Sequence, residues 1–228
     1  MKEERMIKSK GWNWKIVDNN KDCVWLNPSI ESYYLLDRWK NLNKKVFLDL
    51  GCGLGRHTIM FASNNFKTFA FDISEEAIKK TKEWAIKLGL NINYAVGDML
   101  DMPYDDESID VILGYNVISH TDTLGVKKII SQLKRILKKD GECYLTLCSK
   151  DTWGFKQENF PLVDENTRLR MDEGPEYGVA HFYADYELIK DLFCDFEIIS
   201  IRHIQDFYEN NGQEYSSYHY HILIRKNR

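Results

Sequence analysis

Residues 46–57 read VFLDLGCGLGRH, and this stretch decides the fold. Its apolar first half predicts a buried strand over 46–50, and a helix is predicted over 56–63. Between them lie Gly51, Gly53 and Gly55. Glycine lets a strand turn sharply into a helix and lets a ligand approach the backbone at the helix start. The turn therefore predicts a binding site for a dinucleotide, a phosphate or a sulfonium cofactor.

Strands and helices alternate along most of the chain on both sides of this turn. Helices are predicted from Ser74 to Gly89, over 125–139 and over 184–193. Further strands are predicted over 67–72, 92–96, 109–114 and 142–148. Such alternation is typical of parallel strands joined by right-handed crossovers. Two late strands, 196–204 and 218–225, have only a polar loop between them and predict an antiparallel hairpin.

Composition excludes several classes of protein. The chain has 228 residues, 43% hydrophobic and 29% charged, which suits one globular domain with a full core. A net charge of −4 gives no general attraction to nucleic acid or to an anionic membrane, and neither partner is expected. The charged N-terminal residues 1–15 contain no apolar signal segment, so a cytoplasmic protein is expected. The five scattered cysteines form no CxxC pair, and no metal site is predicted.

The residues around the turn distinguish among its possible ligands. A dinucleotide fingerprint needs a third glycine where Arg56 stands, and a phosphate loop needs a lysine that is absent. Asp49 and Asp72 lie at the ends of two predicted strands, and Asp98 follows a third. Ligands of such sheets lie at the carboxyl ends of the strands, where these acids would repel a pyrophosphate. They suit ribose hydroxyls, an amino group and a net positive charge.

The segments DLGCGLGR, FDIS and VGDMLDMPYDDESIDVIL resemble class I S-adenosylmethionine-dependent methyltransferases over roughly residues 45–148. The resemblance implies a seven-stranded, Rossmann-like α/β fold, doubly wound and mostly parallel with an antiparallel C-terminal hairpin. It also implies S-adenosylmethionine as cofactor, with the backbone of Gly51, Cys52 and Gly53 beside the methionine moiety. Asp49, at the end of the first strand, is also expected to bind the cofactor. The other implied contacts are Asp72 on the ribose, Ile73, Asp98 and Met99 on the adenine, and Tyr115 and Asn116 near the methyl group.

A single methyltransferase domain over 1–228 is expected. It divides into an N-terminal cap (1–44), a cofactor-binding core (45–149), an acceptor-side lid (150–183) and a C-terminal helix and hairpin (184–228). The lid is expected to be irregular, because it is polar and interrupted by glycine and proline. Its aromatic side chains would form the acceptor wall.

Two histidines are candidates for the catalytic step. His120 lies just beyond the fourth predicted strand, and His181 ends the lid segment. Imidazole titrates near neutral pH and suits a general base. Transfer from a sulfonium can also proceed by alignment alone, since its leaving group is already activated. For Trp12, Trp14 and Trp25, core packing is the expected role, although an N-terminal segment often covers the cofactor cleft in proteins that resemble this one.

Several functions are consistent with these residues. The first is methyl transfer to a small-molecule acceptor; the others are a non-catalytic module that binds the cofactor or its product, and a protein or RNA methyltransferase. Cys148 follows the fifth strand, where some RNA cytosine methyltransferases place a nucleophile, but their companion proline–cysteine pair is absent. The [DNS]PP[YFW] pattern of nucleic-acid amino methyltransferases is absent as well. Both absences count against a nucleic-acid acceptor, and Cys148 is expected to be a buried structural cysteine.

Overall fold

The computed structural model describes residues 9–15, 17, 25–210 and 213–227. Residues 1–8, part of the segment used above to exclude a signal peptide, lie outside the described residues. In chain order the elements are α1 (Ile30–Asn41), β1 (Val46–Leu50), α2 (Arg56–Ser63), β2 (Lys67–Asp72), α3 (Glu75–Lys87), β3 (Ile92–Val96), β4 (Ile109–Gly114), α4 (Thr123–Ile136), β5 (Leu137–Ser149), β6 (Leu162–Asp164), β7 (Thr167–Leu169), β8 (Ala180–Ala184), α5 (Tyr186–Leu192), β9 (Phe196–Asn210) and β10 (Gln213–Lys226).

One β-sheet lies at the centre of the described part of the chain. Its parallel part runs in the order β3-β2-β1-β4-β5. β10 then pairs antiparallel with β5 and with β9. The predicted fold class, mostly parallel with an antiparallel C-terminal hairpin, is confirmed. The chain order reverses between β1 and β4, and doubly wound sheets bind ligands at such a reversal.

Helix ends follow the sequence signals. Ser74 is the N-cap of α3, and its side chain accepts a hydrogen bond from the Ala77 amide. Asp122 caps α4 in the same way through the Gly125 amide. The apolar face of α4 is buried against the sheet, as the helical spacing of those residues predicts. Its fully buried apolar side chains are Val126, Ile129, Leu133 and Ile136.

Several boundaries differ from the prediction. α4 ends at Ile136, and β5 starts at once, so the Asp140-Gly141 pair lies inside a strand instead of ending a helix. Asp140 has a φ of 59° there, where the β4–β5 register is irregular. β9 and β10 extend through most of the predicted polar loop and leave only residues 211–212 outside the described chain. Antiparallel pairing between the two strands offsets the polar composition of this segment.

The segment over 150–183 is more regular than expected. It contains β6, β7 and most of β8, which pair antiparallel with one another. β8 also continues the sheet by pairing parallel with the end of β5 at Cys148 and Ser149. Among the described residues, no helix combines the length and the apolar character needed to cross a bilayer.

Candidate active site

A cleft opens at the carboxyl ends of β1, β2 and β4, as expected for this topology. It holds about 830 Å³ of empty space, part of which is open to solvent. Its floor is the glycine turn between β1 and α2, and its roof is the segment over residues 9–15, which we call the N-terminal strap. Below, the side that contains the glycine turn and Asp72 is called the cofactor side, and the side that contains His120 the acceptor side.

The glycine turn adopts backbone angles that other residues avoid. Gly51, Gly53 and Gly55 have φ values of 69°, 52° and 90°. The Gly51 and Cys52 amides both donate to the Phe71 carbonyl, at 2.8 and 3.0 Å, which fixes the turn against β2. A Cβ on Gly53 would lie 2.7 Å from the Trp14 ring. The backbone of Gly53 therefore forms a bare wall of the cleft, as the resemblance implies for Gly51, Cys52 and Gly53, all of which line it.

Asp72 ends β2 and faces the cleft. Its carboxylate accepts hydrogen bonds from the Gly53 amide and the Ser74 amide, both at 2.9 Å. Burial raises the pKa of this carboxyl, and the backbone hydrogen bonds oppose that rise. Asp72 thus connects the glycine turn to the start of α3 and carries acceptor oxygens for a ligand's hydroxyl groups.

Asp49 has a different environment from Asp72. It is 2% exposed and does not line the cleft. The Thr58 hydroxyl donates to its carboxylate at 2.5 Å. Burial raises the pKa of Asp49 to about 7, although its hydrogen bonds with Thr58 oppose the rise. Asp49 therefore supports the turn from below, and the predicted cofactor contact through its side chain stays a prediction.

Of the residues predicted to contact the adenine, some line the cleft and one does not. Ile73 and Met99 line the cleft, with Gly97 beside them. Asp98 is half-buried and lies outside the lining. One of its carboxylate oxygens accepts from the Ser9 hydroxyl at 2.8 Å and from the Leu100 amide at 2.9 Å. In this state Asp98 holds the N-terminal strap, and its proposed role in binding adenine stays a prediction.

Tyr115 and Asn116 follow β4 and line the cleft where the methyl group is expected. The Arg56 guanidinium lies 5.4 Å from the Tyr115 ring centre and 5.5 Å from that of Trp25. Burial and Arg56 lower the pKa of the adjacent His57 to about 3. His57 is therefore neutral at pH 7, and its Nε2 accepts a hydrogen bond from the Ser29 amide at 3.1 Å.

The three tryptophans line the cleft, so core packing was the wrong expectation for them. Trp12 lies 5.3 Å from Trp14 and 4.7 Å from Trp25 between ring centres. The N-terminal strap also contacts the lid: the Lys10 ammonium donates to the Tyr177 carbonyl at 2.7 Å, and the Asn13 amide to the Pro175 carbonyl at 3.2 Å. The strap therefore spans the mouth of the cleft from the cofactor side to the lid.

The two candidate catalytic histidines lie together. The His120 and His181 ring centres are 4.8 Å apart, and His120 lines the cleft next to Trp12. His181 is 3% exposed and lies behind His120. Glu176 completes the group, with its Oε1 3.4 Å from His181 Nε2 and 3.8 Å from His120 Nε2.

Glu176 and His120 differ in charge at neutral pH. Arg170 pairs with the other Glu176 oxygen at 2.8 Å and with both oxygens of Asp172. Burial alone would raise the pKa of Glu176, but hydrogen bonding and charge interactions with His181 and Arg170 lower it. Burial, aided by His181, lowers the pKa of His120 to about 3, so this imidazole is neutral at pH 7. The group therefore contains a carboxylate beside a neutral ring.

Two parts of this site escaped the sequence analysis. Glu176 lies in EGPEYG, a stretch of turn residues with no motif. Only the pairing of β7 with β8 brings it near the histidines. Trp12, Trp14 and Trp25 carried a recognisable signal, since all three precede the core, but their position over the cleft depends on tertiary contacts.

Comparison with known proteins adds independent information. Residues 41–212 match the family model described as a methyltransferase domain. An uncharacterized protein of Methanocaldococcus jannaschii is 33% identical over 118 residues, which are 52% of this chain and 48% of that protein. A ubiquinone biosynthesis O-methyltransferase of Coxiella burnetii is 24% identical over 175 residues, 77% of this chain and 72% of that enzyme. The chain spans about half or less of the length of the first curated relatives it matches.

Solved structures show the same fold. The crystal structure of an S-adenosylmethionine-dependent methyltransferase from Methanosarcina mazei superposes with a TM-score of 0.66 at 24% identity. The match covers 81% of this chain and 93% of that one.

Proposed function

The chain belongs to the methyltransferase-domain family, and from this premise we propose that it transfers a methyl group from S-adenosylmethionine to a small-molecule acceptor. The family match confirms the resemblance to class I methyltransferases, which are enzymes with S-adenosylmethionine as cofactor. The acceptor, the single-domain division of the chain and the roles of individual residues are part of the proposal.

One observation carries the proposal: the bare glycine wall and the Asp72 carboxylate face the same cleft. The wall allows the methionine moiety to lie against backbone, and Asp72 offers two oxygens to the ribose hydroxyls. Ile73 and Met99 supply an apolar surface for the adenine at the other end. Most of the residues that the resemblance assigns to the cofactor line this cleft, which supports the proposal, whereas Asp49 and Asp98 do not line it.

The covered mouth of the cleft favours a small acceptor. The N-terminal strap contacts the lid through Lys10 and Asn13, so a folded macromolecule would have to displace both segments to reach the floor. Aromatic rings of the strap offer planar apolar contacts to an acceptor at this point. A net charge of −4 does not favour RNA as the acceptor.

Catalysis would depend mainly on alignment. The acceptor atom attacks the methyl carbon while the carbon–sulfur bond breaks, and the bonding electron pair stays on sulfur to give S-adenosylhomocysteine. Holding acceptor and methyl in line is worth about 7–11 kcal/mol in favourable cases. Tyr115, Asn116 and His120 line this part of the cleft and would position the acceptor, and His181 supports them from behind.

A screen of small acceptors that detects S-adenosylhomocysteine release tests the proposal. Hydroxyl, amine and thiol compounds should each be offered, with a protein mixture and RNA as further arms. His181→Ala should lower turnover of the best acceptor much more than it weakens cofactor binding, because it acts on the acceptor side.

His203→Ala is the matched control, since His203 hydrogen-bonds Ser149 and stacks on Tyr220 outside the cleft lining. Turnover only with a protein or RNA acceptor would refute the small-molecule assignment. Equal kinetics in the two histidine variants would refute the acceptor-side role of His181.

A further inference from the structure

Three metal-ligating groups converge at the edge of the cleft. Nitrogen atoms of His120 and His181 and a carboxylate oxygen of Glu176 all lie within 4.8 Å of one another. His120 lies in the loop after β4, Glu176 in the loop between β7 and β8, and His181 on β8. The sequence alone predicts no metal site, because no spacing of ligands along the chain indicates one.

A backbone contact orients the His181 ring. His181 Nδ1 lies 3.2 Å from the Val179 carbonyl, which can only accept, so Nδ1 donates to it. This contact directs Nε2 toward Glu176 Oε1, which lies 3.4 Å away. Nitrogen and oxygen ligands of one tetrahedral Zn²⁺ ion, each about 2.0–2.2 Å from the metal, lie at a comparable distance from each other.

The carboxylate is held by a second layer of contacts. Arg170 binds Glu176 Oε2 and both oxygens of Asp172, so Oε1 remains directed at the two imidazoles. Two carboxylates share this guanidinium, which leaves the cluster of Arg170, Asp172 and Glu176 with one net negative charge. Partners of this kind orient the ligands of metal sites: a carbonyl on the outer nitrogen of a histidine and a cation on the outer oxygen of a carboxylate.

We propose that His120, His181 and Glu176 bind one divalent transition-metal ion, for which Zn²⁺ is the best match. Two imidazoles and one carboxylate are a ligand set that Zn²⁺ uses in catalytic sites, where a further position stays open for water or substrate. His120 lines the cleft and His181 lies behind it, so the open position faces the acceptor side.

The metal would define the acceptor class, an inference that rests on the proposed methyl transfer. An acceptor hydroxyl that occupies the open position would release its proton to solvent, since a bound Zn²⁺ strongly lowers the pKa of a coordinated hydroxyl. Its oxygen would then attack the methyl carbon, and the carbon–sulfur electron pair would pass to sulfur. The products are a methyl ether and S-adenosylhomocysteine, and the metal keeps its charge throughout.

Cobalt binding tests the site without any methyl donor or acceptor. The full-length protein, free of a histidine tag and stripped with a chelator, is titrated with Co²⁺ and followed by its visible d–d absorption, with Zn²⁺ as competitor. We expect one equivalent to bind and Zn²⁺ to displace it. His181→Ala and the near-isosteric Glu176→Gln should each weaken binding by at least about 100-fold, while His203→Ala stays within about twofold of the parent protein.

The absence of saturable Co²⁺ binding would overturn the metal site, as would a parent-like affinity in His181→Ala and Glu176→Gln. A protonated His181 paired with Glu176 would then fill the position of the metal. Circular dichroism of each variant verifies the fold, and Glu176→Gln keeps the shape of the side chain. Because the titration contains neither substrate, its failure leaves methyl transfer standing. Conversely, a failed acceptor screen leaves a measured Co²⁺ site standing.

Discussion

The cofactor side of the cleft comes from short contiguous stretches, while the acceptor side joins residues from distant positions. Gly51, Gly53 and Asp72 lie on one strand–turn–helix unit and the strand next to it. His120, Glu176 and His181 come together only after β7 and β8 have paired beside β5. The difference separates a local motif, which backbone geometry dictates, from a site that depends on long-range packing.

This contrast explains how one fold serves many acceptors. The glycine turn needs positive φ values and a bare backbone, which few other sequences supply. The acceptor side needs only side chains presented by a lid, and many lids can do this. Variants placed on each side of the cleft can test this difference.

The largest effect should be a pH-dependent stability change at Asp49, beneath the cofactor side. Its pKa rises from 3.8 to about 7 on folding. A raised carboxyl pKa gives stabilisation that is fully present below the unfolded value and is lost as pH rises through the folded value. Relative to the parent, the free energy of unfolding of Asp49→Asn should therefore rise by up to about 4 kcal/mol between pH 4 and pH 8. Urea unfolding at several pH values measures this gain.

Asp164 on the lid is the matched control, because its pKa is lowered on folding. Partial burial would raise the pKa of Asp164, but hydrogen bonds from the Thr123 and Asn166 amides lower it by more. Its stabilisation is present above the unfolded pKa and is lost only in acid, as pH falls through the lower folded value. Asp164→Asn should therefore be less stable than the parent by a constant amount from pH 5 to pH 8. A flat profile for Asp49→Asn over pH 4–8 would contradict the assignment of its raised pKa.

The next effect concerns cofactor affinity. Asp72→Ala should weaken S-adenosylhomocysteine binding by about 1.5–3 kcal/mol, the range for hydrogen bonds to a charged group. Asp110→Ala is the control, since its carboxylate binds Lys138 and the Val46 amide at the other end of the sheet. Calorimetric titration compares the two variants. If Asp72→Ala and Asp110→Ala are both folded and bind S-adenosylhomocysteine equally well, Asp72 does not contact the ligand.

A pair of glycine variants separates backbone strain from ligand contact. Gly53 and Gly89 both have positive φ, 52° and 66°, so alanine at either position should cost about 1–2 kcal/mol of stability. A Cβ at Gly89 meets nothing within 4 Å, whereas one at Gly53 meets Trp14 at the cleft. Only Gly53→Ala should also lose about tenfold in S-adenosylhomocysteine affinity, or about 1.4 kcal/mol. A folded Gly53→Ala variant with parent-like affinity would mean that the turn does not face the ligand, and equal losses in both variants would trace the loss to backbone strain.

The smallest effect should be local protection of the lid. Residues 170–179 carry the contacts to the N-terminal strap and should exchange their amide hydrogens more slowly with S-adenosylhomocysteine and acceptor bound. The β9–β10 hairpin should exchange at the same rate in both states. If residues 170–179 are equally exposed with and without ligands, the lid is only a surface loop.

The sequence predicts the parallel core well because each of its strands is a short apolar run that ends at an acid or a turn. β1, β2, β3 and β4 have the predicted bounds. It fails where pairing overrides composition: β9 and β10 extend through a polar stretch, and β6 to β8 form within a segment rich in glycine and proline. Helix α1 went unpredicted, since its buried face consists only of Ser32, Leu35 and Trp39.

The candidate site divides in the same way. Glycine turns and strand-end acids can be read from spacing, because backbone conformation requires them locally. The partner of His181 cannot, because Glu176 lies in a turn-rich stretch and meets the histidines only in the folded lid. Likewise, nothing local places Trp14 over Gly53.

The identity of the ligand in the cleft can be tested by calorimetric titration with S-adenosylhomocysteine and, separately, with NADH. We expect one site with micromolar-range affinity for S-adenosylhomocysteine, because the glycine wall and Asp72 fit its methionine moiety and ribose. We expect no comparable binding of NADH, because Arg56 replaces the third glycine of the dinucleotide fingerprint. Tighter binding of NADH than of S-adenosylhomocysteine would refute the assignment of the cleft to S-adenosylmethionine.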